Sequence, residues 1–190
     1  LITSGRPDFL KVYLVHSEDD DAIGTSGQSS QRSGLHPRLV SPIVAKAHAA
    51  GLQVTAHVET AADFRQAVRA GVDELAHVPG WLVTSAADAE SARLTEADAR
   101  LALERHVRVV TTAVAGSAMP SVTGHHPHGH HEGHATGPSD HHATAPDKSL
   151  AQVLKDNIAL LHRVGVRVVV GSDHAETSLA EVMQLHRFHL

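Results

Sequence analysis

The 190-residue sequence contains no cysteine, so disulfides and thiolate metal ligands are excluded. It has no surplus of positive charge: 16 Lys and Arg against 21 Asp and Glu leave a net charge of -5. A nucleic-acid partner gets no support from that balance. It has no long hydrophobic run either. The most extended apolar stretch, around Val164–Gly171, is far too short to cross a bilayer, and no membrane partner is expected. Residues 1–15 show no basic segment leading into an apolar one, so no signal peptide is read there. No Gly-x-Gly-x-x-Gly follows a strand, which weakens a dinucleotide-binding reading. An initiator methionine is also absent, and Leu179–Leu190 reads as an interrupted helix, so the expectation is a piece of a longer chain. Compartment and oligomeric state are not legible.

What is present is enough apolar material for a core, at 42% hydrophobic residues, and an unusual 18 histidines. A metal site in this chain must use imidazole, carboxylate or a modified lysine. Such donors suit zinc, nickel, iron or manganese.

Short β-branched runs alternate with longer helical patterns. Strands are expected at Phe9–Val15, Leu52–His57, Asp73–His77, Val107–Thr112 and Val166–Val170. Helices are expected at Pro37–Ala50, Ala61–Ala70, Thr95–Arg105 and Ser149–Val164, with a last one opened by Ser178-x-x-Glu181. Gly51, Gly71 and Gly165 stand where left-handed stops belong. Thr60 is an N-cap, and Thr95 with Asp98 can cap reciprocally. Apolar strands interleaved with helices predict an α/β fold with a parallel sheet buried under helices. Five such units fit the C-terminal part of a TIM-type (β/α)8 barrel, which as a whole needs about 250 residues. A doubly wound open sheet is the competing architecture.

Two polar segments interrupt the pattern. Residues 17–36 read as a long loop. Residues 116–147 read as a His-rich insertion within a single partial barrel covering residues 1–190. The insertion carries His125, His126, His128, His130, His131 and His134, with His141 and His142 behind them. Imidazoles this close together can hold zinc, nickel or copper weakly. The plain alternative is a solvated insertion, or a lid over the active-site side.

The strand ends hold the chemistry. Lys11 lies within an apolar strand, where an amine is costly unless paired or altered. His57, His77 and Asp173 end three other strands, and barrel active sites gather at the C-terminal strand ends. Lys11 can equally snorkel to a sheet edge. Either histidine can be structural, and Asp173 can cap a turn. Glu59 reads as a solvated loop residue, a partner behind His57 or a substrate contact. Trp81 reads as a cover over the mouth or a core residue, and His16 and Ser17 as candidate pocket lining.

The segments Asp8–Leu14, Val54–His57, Glu74–His77 and Gly171–Asp173, in that order, resemble the amidohydrolase superfamily in its imidazolonepropionase-like and prolidase-like branch. The resemblance implies a carboxylated Lys11 bridging two metals, His57 and His77 as ligands of the second metal, and Asp173 as ligand of the first. Asp173 would also be the catalytic group taking a proton from the hydrolytic water. It implies one or two divalent ions, zinc by default, which lower the pKa of bound water. It implies hydrolysis of C–N bonds, amide or cyclic amide, in a small-molecule or dipeptide substrate. The family's His-x-His pair at the end of its first strand has no counterpart here. His128-Gly129-His130 has the spacing but lies in the polar insertion. The isolated chain is therefore expected to hydrolyse little or nothing. A second reading is a zinc- or nickel-sequestering protein that uses the His-rich loop on a non-catalytic barrel scaffold.

Overall fold

The computed structural model describes residues 7–15, 34–81, 83, 85–114, 148–173 and 178–189. Five strands form one parallel sheet: β1 (Phe9–Tyr13), β2 (Gln53–His57), β3 (Glu74–Ala76), β4 (Arg108–Val110) and β5 (Arg167–Val169). The helices are α1 (Val40–Ala49, entered through a 3-10 turn at Pro37–Leu39), α2 (Ala61–Ala70), α3 (Ala86–Ser91), α4 (Glu96–Glu104), α5 (Lys148–Val164) and α6 (Ser178–Arg187).

The strands lie in the sheet in chain order, each parallel to its neighbour. A doubly wound sheet reverses its strand order at a switch point. No reversal occurs among the described strands, so the architecture is that of successive barrel units. The helices form one continuous layer, α1 against α2, α2 against α4, and α4 against α5.

Local chemistry accounts for the helix ends. Thr60 accepts from Asp63 N–H while the Asp63 carboxylate accepts from Thr60 N–H, and Gly71 closes α2 at φ 87. Thr95 and Asp98 make the same reciprocal cap on α4. Each cap is worth about 1 kcal/mol. The short α3, capped by Ser85, has no counterpart among the expected elements.

The strands depart from expectation in one respect. They alternate, with only one face lying under helices. Val12, Val54, Ala56, Leu75 and Val109 form the apolar face and are buried with Phe64 and Val68 of α2. On the opposite face Lys11, Thr55, Glu74, Arg108 and Arg167 stand in register across all five strands. Thr55 Oγ1 donates to Glu74 Oε1 at 3.3 Å, Arg108 Nε donates to Glu74 Oε2 at 3.3 Å, and Arg108 donates to Gln53 Oε1 at 3.1 Å. A period of two, with one face dry and one polar, is what a half-covered sheet requires.

Candidate active site

The mouth of the sheet is built at the C-terminal ends of its strands. His57 is the last residue of β2, and His77 follows β3 directly. Their rings meet edge to face with centroids 4.7 Å apart. Asp173, beyond β5, places Oδ2 3.7 Å from His77 Nε2. Strand ends separated in sequence thus deliver two imidazoles and a carboxylate to one place.

The surroundings fix the rings. Trp81 stacks on His77 with centroids 4.3 Å apart and planes 18° apart, and it meets His57 edge-on at 5.6 Å. Its indole N–H donates to the Val58 carbonyl at 3.2 Å, so the tryptophan is itself held. His57 Nε2 pairs with Glu59 Oε1 at 3.1 Å, and the Tyr13 ring lies 5.0 Å from the His57 ring, tilted by 31°. Glu59 is therefore the partner of His57, and Trp81 is a wall of the mouth.

His77 adopts φ 80, a left-handed conformation uncommon outside glycine. Thr112, two residues past β4, adopts φ 45. These two buried residues share a hydrogen bond of 2.8 Å between His77 Nδ1 and Thr112 Oγ1. Of the four non-glycine residues with positive φ among the described residues, these two meet at the mouth, and outliers held by tertiary contacts often cluster at functional sites. The conformation of Thr112 also explains why β4 ends at Val110, short of the expected Thr112.

Burial pushes the pKa of His77 down from 6.5 to about 4; the charges of His57 and Lys11 act in the same direction, and those of Asp173 and Glu59 oppose them. The ring is neutral near pH 7. Between about 4 and 6.5 the folded protein binds fewer protons at this position than the unfolded chain does. The stabilisation from a neutral His77 is thus complete above 6.5 and is lost as pH falls toward 4. The full difference is worth about 3 kcal/mol. Urea unfolding with chelator present, at pH 7.5 and pH 5, should show this acid loss reduced in His77→Gln. An unchanged pH slope in that variant would assign the loss to other groups.

Lys11 is placed differently from expectation. Its strand face is open, so the side chain is exposed and the burial argument does not hold here. It sits one pleat below the mouth, beside Thr55, with Nζ 5.1 Å from the centroid of the Tyr13 ring. Asp173 is also partly exposed, at 41%. The histidines of the insertion, His125, His126, His128, His130, His131 and His134, lie outside the described residues, as do His16 and Ser17.

The donor chemistry fits a divalent ion in part. Neutral His77 has its Nδ1 engaged by Thr112, with Nε2 on the Asp173 side, and this is how ligating histidines are usually oriented. Against this, no group of three or more His, Asp or Glu stands ready to hold a metal among the described residues. Glu59 occupies His57 Nε2.

No family model matches the sequence, and no curated protein matches it. Solved structures do. A Xaa-Pro dipeptidase with methionine bound in its active site is similar at TM-score 0.61 and 16% identity, over 96% of this chain and 39% of that one. Ochratoxinase of A. niger is similar at TM-score 0.57 and 21% identity, over 83% of this chain and 31% of that one. A structure described as an amidohydrolase is similar at TM-score 0.51 and 22% identity, over 81% and 33%. At these identities the likeness is one of fold. The chain has the parallel βα architecture of part of these proteins and spans 31–39% of their length.

Proposed function

We propose that this chain is part of a metal-dependent hydrolase that cleaves C–N bonds, amide or cyclic amide, in a small molecule or dipeptide. The observation that carries the reading is the meeting of His57, His77 and Asp173 at the sheet's C-terminal mouth, with rings 4.7 Å apart and a carboxylate 3.7 Å from His77. The structural likeness to a dipeptidase and an amidohydrolase supports it at the level of fold. Two edge strands bearing exposed Phe9 and Tyr13 on β1, and exposed Val170 beside β5, fit a barrel whose remaining units come from elsewhere in a longer protein.

In this reading His57, His77, Asp173 and a carboxylated Lys11 would hold one or two divalent ions, zinc by default. A bound ion would supply Lewis acidity and an acidified water. His77 stays neutral because it is buried, so its ring nitrogen is available at neutral pH. Trp81 keeps both rings in place and shields one side of His77 from solvent. Asp173, partly exposed toward the mouth, takes a proton at its carboxylate from the attacking water and passes it to the leaving nitrogen.

The test is made on the product of the full open reading frame, loaded with zinc and offered a panel of dipeptides, N-acyl amino acids and cyclic amides. Release of amine that depends on metal supports the reading. Zinc uptake without turnover of any of them, abolished by deleting residues 124–146, would replace it with metal sequestration by the insertion. That second reading rests on the run of histidines between His125 and His134.

A further inference from the structure

Glu181 lies in the first turn of α6 and is completely buried, at 0% exposure. A buried carboxylate needs donors, and these come from a single place. Thr111 Oγ1 and Ala113 N–H (2.6 Å) donate to Oε1, and Val114 N–H donates to Oε2 at 2.9 Å. These are three of the four residues in the turn that leaves β4. The fourth is Thr112. It is held at φ 45, its N–H donates to the Gly171 carbonyl at 3.1 Å, and its hydroxyl meets His77 Nδ1 at 2.8 Å. A β-branched residue does not adopt a left-handed conformation unless its surroundings impose it. The surroundings here are a carboxylate gripping the residues on either side and the β5 exit gripping the residue itself.

We propose that Glu181 is a positioning residue for His77. By clamping turn 111–114 it keeps Thr112 in the conformation whose hydroxyl bonds His77 Nδ1 and fixes the orientation of the ring. The contact runs from a helix that follows Asp173 back to a histidine two strands away. This role is distinct from the local capping that the spacing Ser178-x-x-Glu181 suggests, because the carboxylate is bonded to the turn. The inference rests on the proposed function only for its effect on metal, and not for its effect on the ring.

The experiment uses the full-length protein with 15N-labelled histidine, free of metal. Two-bond 1H–15N correlations then report the ring-nitrogen shifts of His77, which move with the hydrogen bond to Thr112. The wild type should show one hydrogen-bonded set of shifts. Glu181→Gln and Thr112→Val should each show a mixture, and Thr112→Ser, which keeps the hydroxyl, should restore the single form. Zinc titrated alone should bind about 10–100-fold more weakly to Glu181→Gln and to Thr112→Val. The double variant should be no weaker than the worse single variant, because both remove the same support. A Glu181→Gln protein with a lowered unfolding midpoint but a wild-type His77 pattern would overturn the proposal, as would additive losses in zinc affinity. If Glu181→Gln does not fold, Thr111→Val removes one donor without touching Glu181 or His77. A mixed pattern there supports the clamp, and a wild-type pattern overturns it. A wild type that binds no zinc, with the ring responses intact, would sink the proposed function and leave the clamp standing.

Discussion

Asp173→Asn in the full-length protein should lower kcat/KM for the hydrolysed amide by about 10²–10⁴-fold, the range associated with a lost general acid–base group. In the metal-free protein it should leave the thermal unfolding midpoint unmoved. The side chain is 41% exposed, and its Oδ2 stands 3.7 Å from Nε2 of a neutral His77. Exposed pairs of that kind contribute little to stability. Asparagine keeps the shape but cannot take a proton. His77→Ala makes the contrast, because that ring is 2% exposed, stacked on Trp81 and bonded to Thr112, so both activity and stability should fall. Full turnover by Asp173→Asn in a steady-state assay would remove Asp173 from the chemistry and with it the proposed role of this strand end.

The largest loss of stability from a single polar side chain should come from Asn157→Ala. Asn157 projects from α5 at 2% exposure, and its hydrogen bonds among the described residues go to backbone. Its amide nitrogen donates to the Pro79 and Ala92 carbonyls, each at 2.8 Å, and its oxygen accepts from Leu94 N–H at 3.0 Å. Removing it strands three buried backbone groups at about 1–3 kcal/mol each. A loss of about 3 kcal/mol or more in urea unfolding is expected. Pro79 and Gly80 lead directly into Trp81, and Gly80 stands at φ 100 against the backbone of Leu154. Trp81 is the chain's one tryptophan, so its fluorescence in the folded variant should report a loosened stack on His77. A loss under about 1 kcal/mol would mean that water replaces the amide without penalty.

Sequence pattern carried the repeat well, because the signals are local. The α2 bounds, the Thr60–Asp63 cap and the Gly71 stop follow from neighbouring residues alone. The placement of His57 and His77 at strand ends follows from a period that switches from two to 3.6. The parts that were missed depend on partners distant in sequence. Asn157 is one polar residue in an amphipathic helix, and such a residue ordinarily faces water. Glu181 sits where a first-turn cap belongs, and its bonds run to residues about seventy positions earlier. Thr112 reads as the end of a strand, yet the strain that turns it toward His77 is imposed from α6 and β5. The apolar neighbours of Lys11 suggest a buried side chain. The alternation places it instead on the open polar face with Thr55 and Glu74.

The unbroken chain order of the strands also bears on how the molecule assembles. A pairing can form only after its intervening chain has closed into a loop, and that entropic cost rises with loop length. Thr55 and Glu74 are only 19 residues apart, and Glu74 and Arg108 are 34 apart. The β2–α2–β3 unit is therefore the natural nucleus, and β4 is next to dock. The joining of β4 to β5 must wait for the whole histidine-rich segment between them. His57 and His77 thus meet early, while Asp173 and the Glu181 clamp arrive with the last unit to settle. The two halves of the mouth belong to opposite ends of the folding sequence.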